Sequence, residues 1–202
     1  MFKMAILGAG AIAHKMSNTI SHMDNVEPYI IADVNIEKAK EVGEKYGYTK
    51  ICGSVDDILA DDQVDLVYIA LPHSLHYKFT KMCLEGGKNV LCEKSFTVSA
   101  SQAKEILALA EEKKLLLQEA IWTRYMPSRK MIDDIIASGV IGEVTSLTAN
   151  LGYELSAVPR IWDVNSAGGA LLDCGVYLVQ FARMNFGDNI TDMKTSAVFR
   201  NG

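Results

Sequence analysis

Small residues near the amino terminus have the spacing of a turn that binds a pyrophosphate. The pattern Gly8-x-Gly10-x-x-Ala13 follows an apolar run and opens an amphipathic stretch. The first glycine permits a tight turn, the second lets the backbone approach a phosphate, and the small Ala13 lets a helix pack closely on a sheet. Free N–H groups and the dipole at the start of that helix attract phosphate. We therefore predict a dinucleotide-binding turn formed by Gly8, Gly10, Ala11, Ile12 and Ala13.

An acidic residue lies where the ribose of such a dinucleotide would be bound. Asp33 comes at the end of the second apolar run, 20 residues after Ala13, and a carboxylate at this spacing accepts both ribose hydroxyls. The same charge repels a 2′-phosphate, and no arginine follows it at Val34 or Asn35. The pattern therefore favours NAD over NADP. The alternative is that Asp33 only caps the helix that begins near Asn35.

Short apolar runs alternate with amphipathic stretches of helical length up to about residue 120. The alternation predicts strands over residues 3–7, 26–32, 50–52, 64–70, 89–92 and 115–118, and helices over residues 11–20, 35–46, 55–60, 75–85 and 99–112. With right-handed crossovers, this order indicates an α/β fold: a doubly wound parallel sheet with helices on both faces. A capping box from Ser99 to Gln102 and the Gly86-Gly87 pair support two of the helix boundaries.

The rhythm changes after Glu119, which predicts a second domain of α+β type. We expect a helix over residues 127–137, a strand over 144–151, a helix over 170–186 and a strand over 193–200. The predicted domains are residues 1–120, which bind NAD(P), and residues 121–202, a partial substrate and dimerisation domain. Asn201-Gly202 is a hairpin signal with no second strand after it, so we expect a shortened version of a longer protein. The alternative is a flexible tail that ends on a turn dipeptide.

The composition argues against several classes of protein. The net charge of −5 is spread without a basic stripe, so we expect no nucleic-acid partner. No apolar run approaches the about 20 residues that a membrane helix needs, and Met1-Phe2-Lys3 leads into a predicted strand rather than a signal sequence. We expect a cytoplasmic protein. Because the cysteines lie in apolar stretches without Cys-x-x-Cys spacing, we expect buried thiols and no metal site; these are Cys52, Cys83, Cys92 and Cys174.

Three further segments lie where chemistry is expected, after predicted strands and at the start of a helix. They are Leu71-Pro72-His73-Ser74-Leu75-His76, Cys92-Glu93-Lys94-Ser95, and Gly168-Gly169-Ala170-Leu171-Leu172-Asp173-Cys174-Gly175-Val176-Tyr177. With the glycine turn and Glu119-Ala120-Ile121-Trp122-Thr123-Arg124, they resemble the glucose-fructose oxidoreductase, inositol dehydrogenase and MocA family, in its dihydrodiol and sugar dehydrogenase branch. The resemblance covers essentially the whole chain. It implies a homodimer whose second domain has an open, mostly antiparallel sheet completed by further chain.

The resemblance implies roles for three of these residues. Lys94 would lie near the nicotinamide and the reacting oxygen, Tyr177 would donate or accept the proton, and Asp173 would adjust the local charge. Such groups lower the barrier when hydride leaves a carbinol carbon whose hydroxyl loses its proton. Asp173 and Tyr177 are four residues apart, which places them on one face of a helix. We expect Lys94 to lower the pKa of Tyr177 from its usual value near 10.

The implied cofactor site includes Lys94 itself and residues around the three. The others are Leu71, Pro72, His73, His76, Glu93, Trp122 and Arg124. Alternatives stay open for several: helix caps for the two histidines, packing for Trp122, and an exposed strand-end lysine for Lys94. The family motif usually has proline where this chain has Ser95. Because a cis bond before a non-proline residue costs about 2.5–4 kcal/mol, we expect the Lys94–Ser95 bond to be trans or held under strain.

The leading hypothesis is an NAD(P)-dependent oxidoreductase that moves hydride between nicotinamide and a hydroxyl or carbonyl group of a sugar, polyol or cyclic diol. Arg124 and Arg160, beside Trp122 and Trp162, make a sugar-facing cleft plausible. The alternative is a protein that binds a dinucleotide without turnover.

Overall fold

A six-stranded parallel sheet forms the amino-terminal part of the computed structural model, which describes residues 1–198. The strands are β1 (Phe2–Leu7), β2 (Val26–Ala32), β3 (Lys50–Cys52), β4 (Leu66–Ile69), β5 (Asn89–Glu93) and β6 (Leu117–Ala120), in the order β3-β2-β1-β4-β5-β6. The predicted doubly wound parallel sheet is confirmed. The order reverses between β1 and β4, and in sheets of this kind the ligand crevice lies at that point, outside the carboxyl ends of the strands.

The helices that cross between these strands begin and end at local signals. They are α1 (Ala11–Ile20), α2 (Ile36–Tyr46), α3 (Val55–Leu59), α4 (His73–Glu85) and α5 (Ala100–Lys113). The side chain of Asn35 accepts hydrogen bonds from two backbone N–H groups of α2, and Gly47 ends that helix in the left-handed conformation. Ser99 likewise caps α5 by accepting from the backbone N–H of Gln102. Each predicted helix of this part is present, with boundaries shifted by at most two residues.

The core lies on both faces of the sheet. Ala5 and Leu7 belong to one cluster of buried side chains, whereas Ile6 belongs to the other, together with Tyr68. Alternate residues of a strand point to opposite faces, so a strand covered by helices on both sides is apolar throughout. This explains why β4 and residues 4–7 of β1 are continuous apolar runs.

The chain after β6 is helical and irregular. It contains a 3₁₀ turn (Trp122–Arg124), α6 (Pro127–Ala137), α7 (Pro159–Trp162), a second 3₁₀ turn (Val164–Ser166), a π-helical turn (Leu171–Gly175) and α8 (Val176–Phe186). The predicted helix over residues 127–137 is confirmed. The helix expected over residues 170–186 is confirmed, with residues 171–175 widened to π-helical spacing.

Both strands predicted after β6 are wrong within the described residues. Residues 144–151 and 193–198 have no regular structure there, and residues 199–202, with the Asn201-Gly202 turn, lie outside the described part. A strand persists only where a neighbour pairs with its N–H and C=O groups, and residues 121–198 supply no partner strand. The expected second sheet is therefore not formed by this part of the chain. Across residues 1–198, no helix combines the length and apolarity needed to cross a membrane.

Candidate active site

The glycine turn has the geometry of a phosphate cradle. Gly8 has φ +104°, and a Cβ atom added to it would lie 2.5 Å from the carbonyl oxygen of Ala70, so only glycine fits there. Gly10 precedes α1, and a Cβ atom there would meet nothing within 4 Å. The first turn of α1 has no side-chain cap, and Ala13 is fully buried against the sheet. The space beside Gly10, at the N-terminus of α1, is therefore open, which fits a pyrophosphate.

Asp33 directly follows β2 and is tied to this turn. One carboxylate oxygen accepts the backbone N–H of Ala9 at 2.7 Å, and the other accepts that of Asn35 at 2.8 Å. The cap of α2 is Asn35 rather than Asp33, so the capping alternative for Asp33 is wrong. Each carboxylate oxygen keeps a further lone pair, and these can accept ribose hydroxyls.

Lys94 joins the loop after β5 to the π-helical turn. Its Nζ donates to the backbone carbonyl of Asp173 at 2.7 Å and approaches the carboxylate Oδ1 of the same residue at 3.2 Å. It also lies 5.3 Å from the centre of the Tyr177 ring. Only 14% of the Lys94 side chain is exposed, which argues against an ordinary surface lysine. The structure thus brings together the three residues predicted to carry the chemistry.

Tyr177 lies beside Lys94 and also contacts Trp122. Its hydroxyl accepts a hydrogen bond from the indole Nε1–H of Trp122 at 2.9 Å, and the two rings meet edge to face. The expectation that Lys94 lowers the pKa of Tyr177 is wrong. Burial raises that pKa, and it outweighs the hydrogen bond from Trp122, which lowers it. Tyr177 is therefore a protonated phenol at neutral pH.

Asp173 is shared by two cations. Its Oδ1 also accepts from Arg160 at 3.1 Å, and 9% of its side chain is exposed. Burial alone would raise the pKa of the carboxyl group, but Lys94 and Arg160 together hold it below its ordinary value. Asp173 is therefore a carboxylate across the physiological pH range.

The two histidines lie in the first turn of α4, which begins at His73 and not at Leu75. The residue preceding α4 is Pro72, and α4 has no side-chain cap, so the capping alternative is wrong for both. His76 is fully buried, with Nδ1 2.7 Å from the carbonyl oxygen of Ser95 and Nε2 2.8 Å from that of Leu71. His73 lies 3.2 Å from the carbonyl oxygen of Ala167 through its Nδ1. Burial lowers the pKa of both rings.

Glu93 directly precedes Lys94 and has a hydrogen-bond partner that was not predicted from the sequence. The hydroxyl of Tyr68, on β4, donates to its carboxylate, which also accepts the backbone N–H of Lys94 at 3.1 Å. Burial raises the pKa of Glu93. The sequence feature that indicates such a contact is a tyrosine within an apolar strand, because a buried phenol needs a hydrogen-bond partner.

Two other predictions at the site have different outcomes. The Lys94–Ser95 bond is cis, so of the two alternatives expected for it, a trans bond or a bond held under strain, the trans bond is wrong; contacts of Ser95 with His76 and Leu172 and of Phe96 with Glu119 surround it. Arg124 does not join the group around Lys94. It lines a cavity of about 400 Å³ between α6 and α8, together with Arg129 and Arg183.

The fold and this geometry define a class of protein, a dinucleotide-binding α/β domain with a lysine, a carboxylate and a tyrosine clustered at the mouth of its crevice. Comparison with known families agrees. A family model described as "Oxidoreductase family, NAD-binding Rossmann fold" matches residues 2–121, and the GFO/IDH/MocA C-terminal domain matches residues 130–201. The chain belongs to the GFO/IDH/MocA oxidoreductase family.

Its relatives include named enzymes. The trans-1,2-dihydrobenzene-1,2-diol dehydrogenase of Mus musculus is 36% identical over 200 residues, which are 98% of this chain and 60% of the relative. A 3-ketoreductase from Actinomadura kijaniata, solved with NADP and TDP-benzene, is 30% identical with a TM-score of 0.84 over 92% of this chain and 57% of that one. Levoglucosan dehydrogenase, solved with NADH and levoglucosan, has the same fold at 23% identity, with a TM-score of 0.76 over 93% of this chain and 54% of its own. This chain spans about 60% of the length of the curated relatives it matches.

Proposed function

We propose that this protein is an NAD(P)-dependent oxidoreductase that transfers hydride between nicotinamide and a hydroxyl or carbonyl carbon of a sugar, polyol or cyclic diol. The observation that carries the proposal is the contact of Lys94 with Asp173 and Tyr177, since Lys94 and the glycine turn both follow the carboxyl ends of strands of the same parallel sheet. The nicotinamide, when bound, supplies or accepts the hydride. The residues of the chain have to hold the substrate oxygen and move its proton.

Lys94 is placed to hold the reacting oxygen. An ammonium group has three N–H donors, and two of them are directed to the carbonyl and the carboxylate of Asp173. The third is available for the substrate oxygen, where a fixed positive charge stabilises the negative charge that develops in the transition state. Asp173 keeps this ammonium in place.

Tyr177 is placed to move the proton. Because its oxygen accepts the N–H of Trp122, its own O–H is free to point at a substrate. Its raised pKa keeps the phenol protonated at neutral pH, which suits donation to a carbonyl oxygen during reduction. The oxidation of an alcohol requires the phenolate, and it is therefore favoured at higher pH.

Asp33 supports the preference for NAD over NADP. Its carboxylate lies beside the glycine turn, where it would accept ribose hydroxyls and repel a 2′-phosphate. The site further includes Leu71, Pro72, His73, His76 and Glu93 on the cofactor side, with Trp122 beside Tyr177 and Arg124 as a more distant candidate. Residues 121–202 would form the substrate side. A cytoplasmic homodimer stays a prediction.

The test compares binding with turnover. NADH binding is measured by calorimetry, and turnover is followed at the nicotinamide absorbance with dihydrodiols, pentoses, hexoses, polyols and their ketones. We expect Lys94→Met and Tyr177→Phe to keep NADH binding and to lose turnover. The matched controls Lys104→Met and Tyr125→Phe, at exposed positions, keep both.

A second candidate is a dinucleotide-binding protein without turnover. It is favoured by the open substrate side, because the side chains of Trp122 and Trp162 are 56% and 58% exposed. NADH binding by the unmodified protein with no turnover on any member of the panel would support it.

A further inference from the structure

Two successive side chains after β5 hold two successive carbonyl groups of the π-helical turn. The hydroxyl of Ser95 donates to the carbonyl oxygen of Leu172 at 2.6 Å. Next to it, Lys94 Nζ donates to the carbonyl oxygen of Asp173 at 2.7 Å. Ser95 is 4% exposed, so its hydrogen bond is shielded from competition with water.

Ser95 is also anchored on its other side. Its carbonyl oxygen lies 2.7 Å from Nδ1 of His76, whose Nε2 lies 2.8 Å from the carbonyl oxygen of Leu71, just after β4. The contacts of His76 and Ser95 thus lie between the end of β4 and Leu172, in the turn that carries Asp173. Because burial lowers the pKa of His76, the neutral ring has one N–H and donates to only one of its two neighbouring carbonyl oxygens.

We propose that Ser95 is a positioning residue, whose hydroxyl fixes the π-helical turn against the loop after β5 and so sets where Lys94 lies relative to Asp173 and Tyr177. The inference rests on the proposed function for its consequence in catalysis. Among the hydrogen bonds within residues 1–198, only those of Lys94 still join the turn to this loop when the Ser95 hydroxyl is removed, and the same ammonium has to hold the reacting oxygen. The bond depends on the hydroxyl and not on the size of the residue.

Four variants separate the hydroxyl from other properties of the position. Ser95→Ala removes it, and Ser95→Thr keeps it. Ser95→Pro removes it while introducing the residue usual in the motif that this chain resembles. Ser128→Ala, at an exposed position in α6, is the control.

One readout follows turnover, and three do not depend on it. We expect Ser95→Ala to lower kcat about tenfold, which corresponds to about 1.4 kcal/mol, with the Kd for NADH within about twofold of the unmodified protein. We expect acetylation of Lys94, measured by mass spectrometry relative to exposed Lys104, to rise at least threefold. Amide hydrogen exchange over residues 171–176 rises as well.

The pattern across the variants decides the proposal. Ser95→Pro should behave like Ser95→Ala, and Ser95→Thr should stay within about threefold of the unmodified protein in every readout. A purely structural role predicts a lower Tm and weaker NADH binding in Ser95→Ala with unchanged Lys94 acetylation, and this result would overturn the proposal. Unmodified turnover and acetylation in Ser95→Ala or Ser95→Pro would overturn it too. If the unmodified protein shows no turnover, the proposed function fails, but acetylation and hydrogen exchange still decide the role of Ser95.

Discussion

Replacing Asp173 by asparagine probes how the charges around Lys94 are held. The substitution keeps the shape of the side chain and removes the one carboxylate that Lys94 and Arg160 share. Lys94 keeps its bond to the backbone carbonyl of residue 173. Asp173→Asn therefore removes only part of the free energy that holds Lys94. That part can be calculated from the distance between Lys94 and the carboxylate.

The Coulomb energy of two unit charges 3.2 Å apart is about 5 kcal/mol at an effective dielectric constant of about 20. Desolvation of the partly buried groups offsets part of it, and a hydrogen bond to a charged group has a net contribution of about 1.5–3 kcal/mol. We expect Asp173→Asn to lose about 2–3 kcal/mol of the free energy that holds Lys94 at the reacting oxygen. This predicts a fall in kcat/KM of about 30- to 140-fold.

The assay is steady-state kinetics on the best substrate of the panel, with the Kd for NADH measured in parallel. The matched control is Asp188→Asn, which removes the carboxylate of an exposed ion pair with Arg183; surface pairs contribute little, so its kcat/KM should stay within twofold. A kcat/KM of Asp173→Asn within threefold of the unmodified protein would refute the electrostatic role of Asp173.

Further predictions concern the glycine turn, the ribose site and the pH dependence. Gly8→Ala should lower Tm by about 4–8 °C, equivalent to about 2 kcal/mol in a chain of this size, because its Cβ would meet the carbonyl oxygen of Ala70. Gly10→Ala should keep its Tm but weaken NADH binding at least tenfold by calorimetry, since its methyl group fills the open phosphate space; equal effects in both variants would contradict this. Asp33→Ser should weaken NADH binding and strengthen NADPH binding, and an unchanged ratio of the two Kd values would exclude Asp33 as the selecting group. The raised pKa of Tyr177 predicts that reductive kcat stays flat from pH 7 to about 10 and falls only above it, while oxidative kcat rises with pH; a reductive limb that falls near pH 8 would show a lowered pKa instead.

The sheet and its helices could be predicted because their signals are local. Asn35 and Ser99 cap helices by side-chain bonds to residues two or three positions away, and Gly8 adopts a conformation that only glycine accepts readily. The strands of a buried parallel sheet are apolar on both faces, so their positions could be predicted as well. The strands expected over residues 144–151 and 193–200 are not found within the described residues, which end at 198, because pairing depends on a second strand that the alternation of one segment cannot supply.

The candidate site was predictable in its members but not in its electrostatics. The resemblance to the family identified Lys94, Asp173 and Tyr177, and the structure brings them together. The pKa of Tyr177 depends on how deeply the ring is buried, and that depth is a property of the folded chain. The contacts of Ser95 with Leu172 and of Tyr68 with Glu93 join residues 77 and 25 positions apart. No local sequence pattern predicts these two contacts.

In the proposed reaction, Tyr177 moves the proton and the bound nicotinamide supplies or accepts the hydride. The most direct measurement is a single-turnover reaction of the NADH complex with a ketone of the panel, in the unmodified protein and in Tyr177→Phe. We expect the two proteins to bind NADH with equal affinity, and we expect the single-turnover rate of Tyr177→Phe to be about 10²- to 10⁴-fold lower. Equal rates of NADH oxidation in the two proteins would contradict it.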